Sequence, residues 1–118
     1  MQDSRDRMGR GMTRCIHDCH DCQDACTATA QHCLRKGGMH AEARHLRLLA
    51  DCAEICQTAA NFMARASDHH HAICSICSII CEACAESCER IGGDEEMKSC
   101  AAMCRRCAES CKETAGAH

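Results

Sequence analysis

Cysteines recur along most of this chain at steps of three and four residues. Cys15, Cys19, Cys22 and Cys26 form one run, Cys74, Cys77, Cys81, Cys84 and Cys88 a second, and Cys100, Cys104, Cys107 and Cys111 a third. An α-helix turns once per ~3.6 residues, so each run lies along one face of one helix. Such positions normally carry the leucine and isoleucine of a helix-bundle seam. With thiols in their place, the chain is expected to be helical around a core of sulfur. The pattern CxxxCxxCxxxC occurs at 15–26, 77–88 and 100–111, an internal repeat of sorts.

Composition sharpens that expectation. A chain of 118 residues is one domain of ordinary size. It has 16 cysteines, no Trp, no Tyr, no Val and a single Phe, Phe62. A conventional core of this size contains several large side chains, so something else is expected to fill the centre. The formal net charge of -3 offers no basic footprint and excludes nucleic acid as a partner. No run approaches the ~18 consecutive apolar residues of a membrane span, so no membrane partner is expected. The N-terminal segment, residues 1–12, is polar and charged with no apolar signal region. The expected location is therefore cytoplasmic, where thiols stay reduced and cysteine richness points to metal rather than to a disulfide scaffold.

Glycine punctuates the chain, and proline is absent. Residues 1–12 read as a frayed tail or one short turn. A first helix is expected from about Thr13 to Lys36, stopped by Gly37-Gly38. A second runs from about Met39 to Ala66. Ser67 and Asp68 are cap candidates for a third, from about His69 to Ile91, which Gly92-Gly93 end. Asp94 caps a fourth that ends near Thr114, with Glu95 and Glu96 against the positive end of its dipole. Short connections make the fold class all-α, an antiparallel up-down-up-down four-helix bundle with a cysteine-lined core, over residues 13–115. The second helix carries only Cys52 and Cys56, on a seam continued by His45, Leu49, Ala59 and Met63.

Sixteen cysteines in register are too many for the ordinary use of cysteine as a small buried hydrophobe. Disulfides fit poorly. Residues four apart on a helix have Cβ atoms ~5–6 Å apart, whereas a disulfide wants ~3.5–4.5 Å. Metal fits better. Thiolates of CxxxC or CxxC on one helix face a point about one turn wide, and successive pairs build a column of sites. Soft thiolate selects Cu(I), Zn(II) or iron–sulfur clusters. Charge favours Cu(I). Zinc at four thiolates per ion leaves about two negative charges at every site, whereas one monovalent ion per thiolate leaves a buried column near neutral. Iron–sulfur motifs use CxxCxxC loops, often with a following proline. The alternative reading is a zinc or general thiol buffer, holding about four divalent ions by tetrahedral counting. A chaperone handing on one ion would not need sixteen ligands.

Chain direction puts both Gly-Gly connections at one end of the bundle. Cys33, Met39, His40, His45, Cys88 and Met97 gather there, with His32 close by. Neutral imidazole and thioether bind Cu(I) more weakly than thiolate and suit a mouth that passes ions inward. A plug of unbranched methionine is the plainer reading of Met39 and Met97. His69, His70 and His71, at the opposite end, read as a solvated helix start. Ile55, Ile76, Ile79, Ile80 and Leu48 fall off the thiol seams and form a strip suited to self-association. No nucleophile–base spacing, phosphate loop or carboxylate pair supports catalysis, so the chain is not expected to be an enzyme.

The segments CEACAESC (Cys81–Cys88) and CAAMCRRCAESC (Cys100–Cys111) carry a resemblance to the bacterial copper storage proteins, and the resemblance spans about residues 13–115. It implies a bundle whose bore holds multiple Cu(I) ions per chain, a homotetramer, and a mouth of Met and His. The absence of an apolar leader resembles the cytosolic branch. The implied ligands are the sixteen cysteines, Cys15, Cys19, Cys22, Cys26, Cys33, Cys52, Cys56, Cys74, Cys77, Cys81, Cys84, Cys88, Cys100, Cys104, Cys107 and Cys111, with Met39, His40, His45, Met63 and Met97. The expected role is Cu(I) storage for sequestration and supply, with copper chaperones or small thiols as exchange partners.

Overall fold

A computed structural model describes residues 2–116, with side chains from Gly9 onward. Helices α1 (Gln2–Lys36), α2 (Ala43–Ala64), α3 (His70–Ile91) and α4 (Glu95–Thr114) follow one another, with a 3-10 helix (Gly38–Ala41) between α1 and α2. Each helix packs on its neighbours in a ring, α1 on α2 and α4, and α3 on α2 and α4. This is the expected up-down-up-down bundle, 53 × 20 × 20 Å in extent.

The cysteine seams put the thiols inside. All 16 cysteines are buried and free, none more than 1% exposed. Leu49, Ala59 and Met63 fill the seam of α2 where it lacks sulfur, and Met97 closes that of α4. Small polar groups sit at the seam edges. Asp18 and Ser110, both nearly buried, join α1 to α4, the Ser110 hydroxyl donating to the Asp18 carboxylate. Asp51, Glu54, Glu82, Glu86 and Glu109 are exposed, as a solvated face requires.

The helix ends differ from expectation in instructive ways. The polar segment expected as a tail or short turn is helical over residues 2–12, with Met1 outside the described residues: α1 begins at Gln2 and runs through Gly9 and Gly11. Its backbone needs no apolar partner there, because every helical N–H beyond the first turn is satisfied within the helix. The Thr13 hydroxyl also donates to the Gly9 carbonyl at 2.8 Å. The second helix does not begin at Met39. Gly37 and Gly38 both take positive φ, +73° and +58°, and turn the chain into the 3-10 helix before α2 starts at Ala43. Neither Ser67 nor Asp68 caps α3. His69 holds the cap position without a side-chain bond, and the Ser67 hydroxyl accepts from the His69 N–H instead, at 3.1 Å. Asp94 does cap α4, accepting from the Met97 N–H at 2.9 Å. By length and mean hydropathy α3 would pass for a membrane span, though Ser and Glu interrupt its apolar residues, and its thiol face is buried against the bundle.

Candidate metal centre

The four seams meet as a ladder of sulfur. Starting from the end opposite the glycine connections, Cys15 lies 3.6 Å from Cys111, and Cys111 lies 3.7 Å from Cys19. The ladder goes on from Cys19 to Cys107 at 3.7 Å, and from there to Cys56 at 3.8 Å. Cys56 meets Cys81 at 3.7 Å, Cys81 meets Cys52 at 3.6 Å, and Cys52 meets Cys22 at 3.8 Å. Cys22 leads to Cys104 at 3.9 Å, then Cys26 at 3.7 Å and Cys84 at 4.0 Å. Cys77 joins from the side at 3.8 Å from Cys56. Cys33, Cys74, Cys88 and Cys100 complete the buried set.

Most of these contacts cross between helices. The seam reading places each ion at a CxxxC or CxxC pair of one helix, and the geometry adds thiols of facing helices to such pairs. Cys19, Cys56, Cys77 and Cys107 come one from each helix and hold their sulfurs within 4.8 Å of one another. Cys22, Cys26, Cys52 and Cys104 make a second four-sulfur group with two thiols from α1, Cys22, Cys52, Cys56 and Cys81 a third with two from α2, and Cys15, Cys19 and Cys111 a group of three. Within one helix, Cys77–Cys81 and Cys107–Cys111 are 3.9 and 4.0 Å apart, far beyond a disulfide bond of ~2.05 Å. The physical reason is the bundle itself: side chains on a seam aim at the axis, so facing seams add cross-helix sulfurs at 3.6–4.0 Å to those of one helix. Because the groups share Cys19, Cys22, Cys52 and Cys56, neighbouring ions would share thiolates.

Burial raises the cost of any lone thiolate, and the neighbours redistribute it. Cys22 is held below the ordinary thiol range by the S–H groups of Cys104 and Cys107, which stabilise its charged form. Cys26 is pushed above that range, first by Cys100, whose own thiol is held low and takes the charge in its place. Among the described residues no Lys or Arg side chain enters the core, so a bound cation is what can neutralise many thiolates at once.

At the glycine end the ladder changes chemistry. Cys33 meets the Met97 thioether at 3.6 Å and His45 Nε2 at 3.5 Å, all three fully buried. The far nitrogen of that imidazole, Nδ1, sits 2.8 Å from the Ser87 hydroxyl. With Nδ1–H donated to Ser87, the Nε2 lone pair faces Cys33, the orientation a metal-binding histidine needs. Burial holds His45 below its ordinary pKa, so the ring is neutral. Burial, helped by the negative potential of Cys100 and Asp94, pushes Cys33 up to about 11.

The other residues expected at this mouth divide. Met39 is 61% exposed and plugs nothing. His40 turns to Asp94 at 3.1 Å rather than to Cys33. Met63, expected on the α2 seam and not at the mouth, is buried there beyond Cys56. Asp94 itself entered the sequence reading only as a cap, and the polar support of Ser87 was missed. Neither carries a periodic signal, since a serine beside a cysteine seam looks like any helix-flank serine.

The sequence matches the family described as copper storage protein over residues 8–116. The Nmul_A1745 protein from Nitrosospira multiformis is 44% identical, with a TM-score of 0.86, over 92% of this chain and 98% of that one. The Cu(I)-bound copper storage protein BsCsp3 of Bacillus subtilis is 34% identical, with a TM-score of 0.84, over 90% of this chain and 99% of that one. A cytosolic copper storage protein from Streptomyces lividans, solved with five coppers, is 31% identical, with a TM-score of 0.86, over 94% of this chain and 97% of that one. Residue pattern, bundle and sulfur ladder agree with these matches, and the chain belongs to the copper storage protein family.

Proposed function

We propose that this protein stores Cu(I) in the cytosol, holding many ions along its bore and exchanging them through the end framed by the two glycine connections. The observation that carries the reading is the unbroken ladder from Cys15 to Cys84, with no step above 4.0 Å. A ladder of shared thiolates suits a monovalent ion of low coordination number. Zinc would load the same groups with excess negative charge. The copper-loaded relatives support the same choice. The sixteen cysteines are the storage ligands, and Met63 supports the column at its far end. Cys33, His45 and Met97 form the innermost step of the mouth, with Met39 and His40 at its rim. A cytosolic relative supports the location. The role is storage, with no catalytic step.

Copper chaperones or small thiols are the proposed exchange partners, since exchange between soft ligands needs only one thiolate to replace another. A homotetramer is proposed from the family resemblance, and the side chains left over by the bundle suit self-association: Ile76 is 46% exposed and Ile79 66%, one turn apart on α3. The test is an anaerobic titration of the reduced apo-protein with Cu(I) against a chromophoric chelator, with zinc in parallel. Uptake approaching one Cu(I) per cysteine, with zinc displaced, is expected. Saturation at one or two Cu(I), or a preference for about four zinc ions, would overturn the reading.

A further inference from the structure

Outside the sulfur ladder, one cluster brings two imidazoles and two carboxylates together. His32 from α1 and His40 from the 3-10 helix both aim Nε2 at the same oxygen, Asp94 Oδ2, at 3.0 and 3.1 Å. The other carboxylate oxygen, Oδ1, is committed to the Met97 N–H. The second nitrogen of His32, Nδ1, lies 3.2 Å from the Glu96 carboxylate. His32 therefore has a carboxylate on each ring nitrogen. A neutral imidazole carries one N–H and satisfies only one of them. With Nδ1–H donated to Glu96, the Nε2 lone pair faces an anionic oxygen, a repulsive contact relieved by a second ring proton or by a cation that both atoms ligate.

We propose that His32, His40 and Asp94 bind one divalent first-row ion of the zinc class, at a site separate from the sulfur ladder. The three ligand atoms already lie within 4.8 Å of one another. The Glu96–His32 contact is the outer carboxylate that orients a ligating histidine and strengthens its basicity. Two imidazole nitrogens and a carboxylate form a harder set than thiolate, so the site selects a divalent ion against the Cu(I) of the bore. A doubly charged ion balances Asp94 and Glu96. Lys36, half exposed and 3.6 Å from Asp94 Oδ2, supplies part of that balance in its place and is free to swing aside. The ligands are partly buried, with side-chain exposures of 19%, 13% and 20%, so an ion reaches them without opening the bundle. Once bound, it ties the 3-10 helix to α1 and to the start of α4, across the mouth of the bore.

The site is tested on the Cu(I)-loaded protein by equilibrium dialysis against zinc, with Co(II) as the spectroscopic probe. One zinc per chain beyond the copper content is expected, and bound Co(II) should show weak visible bands without the intense near-ultraviolet transition of cobalt–thiolate. His32→Ala should abolish the extra ion. Glu96→Ala, which removes no ligand, should weaken it by about 10–100-fold. Asp94→Asn, whose side-chain oxygen keeps the helix cap, should also lose the ion while helicity stays intact. No zinc beyond the bore, a thiolate-type cobalt spectrum, or unchanged zinc binding in His32→Ala would overturn the proposal. Copper content is measured separately in each sample, so a failure of the storage reading is told apart from a failure of this site.

Discussion

Cys33 stands where the bore passes from thiolate to thioether and imidazole, and its protonation ties the apo-protein's stability to pH. Burial raises it to about 11, above the ~8.5 of a free thiol. The folded chain thus keeps a proton that the unfolded chain releases. That stabilisation is complete below pH ~8.5 and is lost as the pH climbs toward 11. Calorimetry of the reduced apo-protein should therefore show the Tm falling across that window, and Cys33→Ala should make the fall shallower. An unchanged slope would mean that Cys33 titrates like a free thiol. His45 acts at the same place by a different route. Its neutral Nε2 offers a ligand that needs no deprotonation before a Cu(I) ion reaches Cys33. Stopped-flow mixing of His45→Ala with a Cu(I) donor should show slower loading, with the loss in rate larger than the loss in final capacity.

At the scale of elements, α2 is the helix that holds the bundle by ordinary packing. Leu49 is fully buried on its seam, between His45 and Cys52, where the other helices would place a thiol. Truncating it leaves a cavity in the apo-protein, and Leu49→Ala should cost about 2–5 kcal/mol in denaturant unfolding. A cost under ~1 kcal/mol would mean that the surrounding thiols collapse into the space. The same helix shows what the sequence disclosed and what it hid. Periodicity found every buried cysteine and the seam His45–Leu49–Cys52–Cys56–Ala59–Met63, because burial on one helix face leaves a mark every three or four residues. It did not find the 3-10 helix, whose four residues are too few to show a period and whose turn is set by the positive φ of Gly37 and Gly38. Nor did it find that α1 continues through Gly9, where no burial constrains the pattern. The pairing of His40 with Asp94 was equally invisible, since 54 residues separate them and only the packing of two connections brings them to 3.1 Å.

For the whole molecule, the decisive property is that the storage ligands are shared between helices. Were each thiol an independent ligand, removing any two of sixteen would lower copper capacity by one eighth. The geometry predicts otherwise. Cys52 and Cys56 are the only thiols α2 contributes, and each four-sulfur group contains at least one of them. They also carry the ladder through its middle, from Cys107 to Cys56, Cys81, Cys52 and Cys22. The double variant Cys52→Ala/Cys56→Ala should therefore lose more than one eighth of the Cu(I) and load in two separated stages, one at each end. The control pair Cys88→Ala/Cys100→Ala lies outside those groups and should lose only its share. Thermal unfolding adds a second readout. A ligand that binds only the folded state stabilises it by about 1.4 kcal/mol for each tenfold excess of free ion over its dissociation constant. Ions bridging all four helices bring that stabilisation to the whole bundle, so loading should raise the Tm of the natural protein far more than that of the α2 double variant. Equal capacity losses and equal Tm gains in the two double variants would show that the thiols act singly and that the ladder has no collective role.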